Sequence, residues 1–467
     1  MNKKRIVVIG GGIAGLTAAY YLKKEMETKK LPYELQLIEA SEKLGGKMQT
    51  IQRDGFTIER GPDSFLARKK SASRLAINLG IDDQLVRVAT GQSYILANDR
   101  LHKMPKGAFM GIPTRMTPFL FSSLFTLSGK LRAAGDYVLP KSKPQQDQSL
   151  GAFFRRRLGN EVVENLIEPL LSGIYAGDLD DLSLMATFPN FYHMEQTHRS
   201  LIKGIKKTMP KPKESKDKPK QGQFLTFRNG LSTMIDALEK ELQDCIITGV
   251  PVQHIAKKTE NYHLLLDNDE VIEADSVIIA TPHFAMQKML SQYDFMAIFK
   301  EMPATSVANV AMAFNKEDIK QDIDGTGFVI SRNSSYRITA VTWTHKKWPH
   351  TTPEGKALVR CYVGRPNDQE VVDFSDEEIE EIVLKDLNKT MNITAKPQFK
   401  VISRWRNAMP QYTVGHKDRV DTLKEQINQH LPGLFFAGSS FEGIGVPDCI
   451  DQGEEAVQQV LSFLGDN

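Results

Sequence analysis

A short β-branched run, Arg5-Ile-Val-Val-Ile9, passes directly into Gly10-Gly11-Gly12-Ile13-Ala14-Gly15. A helix-like stretch follows to about Lys29, and then a second strand-like run, Tyr33-Glu-Leu-Gln-Leu-Ile38. That order constrains the fold more than any other feature, because G-x-G-x-x-G between a strand and a helix is the opening of a β-α-β nucleotide-binding unit. Gly10 permits the tight turn, Gly12 lets a pyrophosphate approach the backbone, and Gly15 allows close helix packing, while the helix N-terminus supplies partial positive charge. Glu39 ends the second strand, 24 residues beyond Gly15, where a carboxylate can accept hydrogen bonds from ribose hydroxyls. An acid at this place disfavours a 2′-phosphate, so FAD or NAD fits better than NADP.

The rest of the chain must accommodate that unit. Its 467 residues predict two or three domains. Forty-one per cent hydrophobic and 25 % charged residues exclude a disordered or fibrous protein, and a net charge of +3 argues against nucleic acid as a partner. Cys245, Cys361 and Cys449 lie far apart, without the close pairs that zinc sites or redox dithiols need, which favours a reducing, cytoplasmic setting. Lys3, Lys4 and Arg5 precede an uncharged stretch over 6–22 that superficially resembles a secretory signal, but four glycines inside it argue otherwise. The stretch also falls short of the ~20 apolar residues a spanning helix requires. Integral insertion is not expected, whereas peripheral membrane contact stays open.

We expect an α/β fold in which a discontinuous Rossmann-like domain takes residues 1–50, 222–295 and 425–467. A mixed α+β substrate-binding domain takes 51–70 and 296–424, and a mostly helical insert takes 71–221. Within the insert, 203–220 holds eight lysines against Glu214 and Asp217, with Pro210, Pro212 and Pro219, and reads as a mobile solvated loop rather than a contact for a membrane or an acidic partner. Residues 116–128 form an apolar patch whose expected fate is buried helix, with a greasy substrate or lipid as the alternative. Of Arg155, Arg156 and Arg157, at most one is expected to face a cavity, since successive helical residues point apart. His102, His283 and His416 lack metal-ligand spacing and read as ordinary polar or capping residues, so no metal is expected; no serine triad can be assembled either.

Two further runs choose between the dinucleotides. Glu39-Ala-Ser-Glu-Lys-Leu-Gly-Gly-Lys47 adds a second glycine pair and a cation, and Leu434-Phe-Phe-Ala-Gly-Ser-Ser-Phe-Glu-Gly-Ile-Gly-Val-Pro-Asp-Cys-Ile-Asp-Gln-Gly453 closes the chain. The first resembles the flavin signature of the amine-oxidase superfamily and the second its closing flavin motif, where Gly445 and Val446 amides at a helix start would stabilise the reduced ring. With Glu59-Arg-Gly-Pro-Asp-Ser-Phe-Leu66, Ser149-Leu-Gly-Ala-Phe-Phe-Arg-Arg-Arg-Leu-Gly159 and Glu168-Pro-Leu-Leu-Ser-Gly-Ile-Tyr-Ala-Gly-Asp178, the chain resembles the protoporphyrinogen and coproporphyrinogen oxidases over essentially its whole length. Gly61-Pro-Asp-Ser-Phe-Leu-Ala-Arg-Lys-Lys70 and Gly91-Gln-Ser-Tyr94 point within the family to the Gram-positive coproporphyrinogen III type.

The resemblance implies non-covalent FAD, molecular oxygen as acceptor, hydrogen peroxide as by-product and oxidation of coproporphyrinogen III in haem biosynthesis. Protoporphyrinogen IX is the second choice, and a flavin amine oxidase or carotenoid-type desaturase is the outer rival. It also implies transient contact with the haem-pathway ferrochelatase. Carried over residue by residue, the FAD contacts are Gly10, Gly11, Gly12, Ile13, Ala14, Gly15, Glu39, Ala40, Lys47, Gly61, Pro62, Asp63 and Ser64. Val252 matches the strand that meets adenine, and Trp405, Gly445, Val446 and Pro447 match positions near the flavin ring. Arg68, Lys69 and Lys70 are candidates for the substrate carboxylates, with a solvated cluster as the alternative, and Tyr175 could border the macrocycle or simply pack. No residue is singled out as catalytic acid or base, because positioning and flavin electronics should dominate the reaction. Cys449 sits inside the closing motif, near where some amine oxidases attach flavin covalently. A flavin-binding protein whose helical insert docks a partner is the reading from a different class.

Overall fold

The computed structural model describes residues 3–105, 108–113, 116–143, 146–208 and 222–465, so most of the Lys- and Pro-rich 203–220 segment lies outside the described residues. The chain gathers into two compact units. One takes Met1–Arg87, Gln223–Met302 and Asp418–Asn467; the other takes Val88–Gly222 and Pro303–Lys417. Residues 51–87 and 296–302 thus fall in the unit that carries the nucleotide motif, and the helical region shares a unit with the remaining sheet.

The first unit is built on a parallel sheet of β1 (Lys4–Ile9), β2 (Tyr33–Ile38), β3 (Ile246–Ile247), β4 (Ser276–Ile279) and β5 (Leu434–Phe436), in the order β3-β2-β1-β4-β5. This is the nucleotide-binding order of a doubly wound fold. Because both faces are covered, β1 and β4 read as continuous apolar runs, while β2 keeps Glu34 and Gln36 between its apolar residues. Ile6, Val8, Leu35, Leu37 and Ile278 face the core that contains helices α1 (Ile13–Lys29) and α2 (Val446–Leu464). Val7, Ile9, Ile38, Val277 and Ile279 face the opposite core, which includes Met286, Met289, Leu423 and Ile427. Helices α1 and α2 touch closely at Gly453, where a Cβ would stand 2.6 Å from the Ala14 carbonyl oxygen. The two ends of the chain therefore pack as neighbours.

The second unit holds a seven-stranded sheet with strands Phe399–Pro410, Ala304–Asn315, Lys356–Val363, Ile338–Trp343, Gly327–Ile330, Tyr94–Ala97 and Arg100–Lys103 in that spatial order. Helix Asp376–Met391, started by a Ser375/Glu378 capping box, presents Ile379, Val383 and Leu387 to the core that includes Val310, Met312 and Val359. The last two strands fall within the stretch expected to be mostly helical. Tyr94-Ile-Leu-Ala97 is fully buried, and Asn98 and Asp99, at φ 51° and 57°, make the two-residue hairpin turn that Asn and Asp favour.

Helices dominate the rest of that stretch, with Leu150–Leu158, Glu168–Tyr175, Pro189–His198 and Leu201–Thr208 among them. In the three-arginine run, Arg157 alone is fully buried. Its guanidinium donates to Asp136 Oδ1 at 2.6 Å and to the Arg199 carbonyl at 2.7 Å, while Arg156 pairs with buried Glu195 and Arg155 with Asp180. The apolar 116–128 patch divides: Phe119, Leu124 and Phe125 are buried, but Phe121 is 86 % exposed. No helix among the described residues is long and apolar enough to cross a membrane.

Candidate functional site

The site begins where β1 ends. Gly10, at φ +109°, donates to the Ile38 carbonyl at 2.8 Å, and a Cβ on it would meet the Ala280 carbonyl oxygen at 2.8 Å. A Cβ on Gly15 would stand 1.9 Å from the Gly10 carbonyl oxygen, so both positions are closed to side chains by packing alone. Gly12 is different: a Cβ there would meet nothing within 4 Å. It is the N-cap of α1, it provides no side-chain cap, and the first-turn amides of Ile13, Ala14 and Gly15 follow it. A 17-residue helix thus presents uncapped N–H groups and its positive end to open space.

Glu39, just past β2, borders the same loop. Its Oε2 accepts the Gly11 amide at 2.5 Å, and its Oε1 accepts the Ser41 amide and hydroxyl at 2.8 and 2.6 Å. Ala40 follows and is exposed. The Glu39 carbonyl takes the Val250 amide at 3.2 Å, which brings the start of strand Val252–Lys257, and Val252 with it, to this edge. The second glycine pair folds back onto the first: Gly45 donates to the Gly11 carbonyl at 2.8 Å and bridges Gly12. Motifs some 30 residues apart in the chain are therefore one surface.

Lys47 continues from that surface toward the other end of the chain and donates to Ser439 Oγ at 3.2 Å, beyond β5. Burial holds its ammonium below the usual lysine range. Ser440 lies beside His283, whose backbone amide and Nδ1 are 3.2 and 3.1 Å from Ser440 Oγ. Burial pushes the His283 imidazole down, against a hydrogen bond to the Met302 carbonyl that raises it, and the charge of Lys47 lowers it further. Gly438, at φ +126°, faces open space as Gly12 does.

At the start of α2, Gly445 is the N-cap and donates to Asp448 Oδ2 at 3.2 Å, with Val446 and Pro447 in the first turn. Asp448 is ion-paired with Lys69, and Ser71 Oγ donates to the Pro447 carbonyl at 3.0 Å. The 61–70 segment is thereby fastened to the closing motif. Within it Gly61, Pro62, Asp63 and Ser64 are partly buried, Ser64 Oγ donating to Asp63 Oδ1 at 2.7 Å, and Arg68 and Lys70 are exposed. Cys449 is buried in α2, and burial pushes its thiol up to about 12.

Tyr175 and Trp405 lie in the second unit. Tyr175 is buried, its ring against Phe188 and Tyr412 at centroid distances of 6.2 and 5.9 Å, and its carbonyl accepts Gln411 Nε2 at 2.7 Å. Trp405 is half-buried in strand Phe399–Pro410, opposite Val307. Nearby, burial raises the Glu168 carboxyl, opposed by Arg332 at 2.8 Å.

The first unit alone thus assembles Gly10 to Gly15, Glu39, Ala40, Lys47, Gly61 to Ser64, Val252 and Gly445 to Pro447. It also recruits Ser439, Ser440, His283 and Asp448, which motif reasoning did not single out as site residues. A signal existed for His283 and the serines: Ala280-Thr281-Pro282 and Ala437-Gly438 end β4 and β5, and ligands of such sheets bind outside the carboxyl ends of the strands. Room at Gly12 and Gly438, an uncapped helix N-terminus, the Glu39 carboxylate just past β2 and a half-buried lysine fit a flavin dinucleotide. Among the described residues no cluster of His, Cys, Asp or Glu could hold a metal.

Residues 13–461 match the family model for flavin containing amine oxidoreductases. The chain is 55 % identical over 465 residues to a coproporphyrinogen III oxidase of Bacillus subtilis (strain 168), covering 99 % of each chain. It is 44 % identical to a coproporphyrinogen III oxidase of Staphylococcus aureus, over 99 % of this chain and 100 % of that one. A crystal structure from Exiguobacterium sp. 255-15, provisionally named a protoporphyrinogen oxidase, superposes with a TM-score of 0.88 at 39 % identity, covering 98 % and 99 % of the two chains.

Proposed function

The chain belongs to the family of flavin containing amine oxidoreductases, which implies FAD as cofactor, and from that membership we propose that it oxidises coproporphyrinogen III to coproporphyrin III in haem biosynthesis. The observation that carries this reading is the 55 % identity, end to end, with the Bacillus enzyme of that name.

Bound FAD supplies the hydride acceptor. In the reading we favour, the first-turn amides of α1 take the pyrophosphate, and Gly12 leaves the backbone bare for it. Glu39 and Ala40 hold the adenosine ribose, and the Val252 strand borders the adenine. Lys47, Gly61 to Ser64, Gly445, Val446 and Pro447 surround the flavin end, and Trp405 joins that list on the family resemblance alone. The flavin is held without a covalent bond, since a thiol as weakly acidic as Cys449 is a poor nucleophile. Arg68 and Lys70, exposed beyond the 61–64 run, are available to substrate carboxylates, and Tyr175 is carried as a pocket wall. No side chain is assigned as acid or base: the pyrrole nitrogens stabilise the cation left by each hydride loss, and over the three oxidations two N–H protons and one proton from the fourth meso carbon depart to restore conjugation.

Regenerating the acceptor with oxygen would balance the reaction as one porphyrinogen and three oxygen molecules giving one porphyrin and three hydrogen peroxide. Three free thiols suit a reducing cytoplasm. Transient contact with a ferrochelatase would shield a photoactive product, and exposed Phe121 and Leu127 beside Lys130 would suit a peripheral membrane contact. The name of the Exiguobacterium structure favours protoporphyrinogen IX as the second reading. Parallel steady-state assays under air separate the two. A larger kcat/KM for coproporphyrinogen III, with three peroxides per porphyrin, is expected; a larger value for protoporphyrinogen IX overturns the ranking.

A further inference from the structure

We propose that Lys69 and Asp448 form a charge pair that sets the reduction potential of the flavin, Lys69 acting through Asp448 as a positioning residue. This rests on FAD occupying the site proposed above.

Three observations converge. The Lys69 ammonium is ion-paired with Asp448, and the side chains are only 35 % and 24 % exposed, so solvent screens the pair incompletely. The other carboxylate oxygen of Asp448 accepts the Gly445 amide at 3.2 Å, inside the first turn of α2. The pair is also held in place: helix Lys70–Asn78 begins immediately after Lys69 and is fastened along α2 by Ser71 on the Pro447 carbonyl and by Arg74 on Glu454, at 3.0 and 2.6 Å. Lys69 is therefore a built part of the α2 start rather than a loose surface cation.

The consequence is electrostatic. Reduction adds negative charge to the isoalloxazine, and the positive end of a helix favours that charge. Asp448, sitting in the first turn, opposes the helix, and Lys69 cancels Asp448. The charges of Lys47 and Lys69 lower the thiol of buried Cys449 and that of Asp448 raises it, so all three, which sum to one positive charge, are felt at the first turn of α2. Removing Lys69 alone leaves that point neutral with an unopposed carboxylate at the helix start; removing the Asp448 charge alone leaves two cations.

The test is a dye-coupled anaerobic titration of the FAD-loaded protein, without substrate, in Lys69→Met, Asp448→Asn and the double variant. The expected result is a more negative potential for Lys69→Met, a more positive one for Asp448→Asn, and a double variant close to the unchanged protein. Asn can still accept the Gly445 amide, so Asp448→Asn remains informative if Lys69→Met does not fold. Potentials that do not move, or that move in the same direction in both single variants while the flavin stays bound, overturn the proposal. So does a Lys69→Met protein whose only change is a raised KM, which would assign Lys69 to substrate carboxylates. A folded protein that takes up no FAD is recognised before any titration, by its lack of colour, and overturns the cofactor site and the pair together.

Discussion

Gly12 and Gly15 stand three residues apart in one motif and answer to different forces. A methyl group at Gly15 collides with backbone, whereas one at Gly12 enters the space assigned to the pyrophosphate. Gly15→Ala is therefore expected to destabilise the FAD-free protein by about 1–3 kcal/mol, the usual range for overpacking, as read from its unfolding midpoint in urea. Gly12→Ala should leave that midpoint in place and weaken FAD by roughly tenfold or more, equivalent to ~1.4 kcal/mol, in a fluorescence titration. Equal loss of stability in both would remove the distinction. Cys449 gives a second test: with its thiol held protonated by burial, acid precipitation should release all of the yellow chromophore, and flavin retained on the precipitate would show a covalent link. The tight turn at Gly10 and the close packing at Gly15 were legible because strand, turn and helix follow one another directly in the chain. The Lys69–Asp448 pair was not, since its partners are 379 positions apart and nothing local distinguishes a paired lysine from a solvated one.

At the scale of elements, burial of charge dominates. Helix Leu150–Leu158 projects Arg157 into a fully buried setting where Asp136 and Glu195 meet it. Arg157→Met strips buried Asp136 of its arginine partner and leaves Glu195 to Arg156 alone, and should cost about 3–5 kcal/mol of stability, against little change for Arg155→Met, whose partner is half exposed. The sequence showed that the three arginines must diverge, but the face that turns inward is decided by packing partners elsewhere in the chain. The Tyr94–Lys103 hairpin was legible and passed over: Asn98-Asp99 between strand-like runs is a turn signal with a known mechanism. Helix His283–Met289 carries one of two histidines, His345 being the other, that burial depresses. Because burial lowers the folded pKa of His283, the unfolded chain binds more protons between that depressed value and the ordinary ~6.5. Stability should thus rise with pH across this window and fall on acidification through it. His283→Gln should flatten the acid-side fall of the unfolding midpoint, and an unchanged slope would mean that His283 does not titrate there.

For the molecule as a whole, the organising fact is that residues 5–15 and 434–453 belong to one structure. Strand β1 lies between β2 and β4, β5 completes the edge beyond β4, and α2 returns to pack on α1 through Gly453. The first motif was readable because a strand, a glycine turn and a helix occur consecutively, and the closing motif because its resemblance to a flavin signature spans 20 residues. Domain bounds were harder: a parallel sheet recruits strands from three distant segments, and composition hardly changes where the chain leaves one unit for the other. In the function proposed, this assembly holds FAD and passes electrons to it from a porphyrinogen. Anaerobic mixing of the FAD-loaded protein with coproporphyrinogen III tests that directly. The flavin band near ~450 nm should bleach as coproporphyrin fluorescence appears, and air should restore it. A band that persists with coproporphyrinogen III yet bleaches with a primary amine would contradict the account.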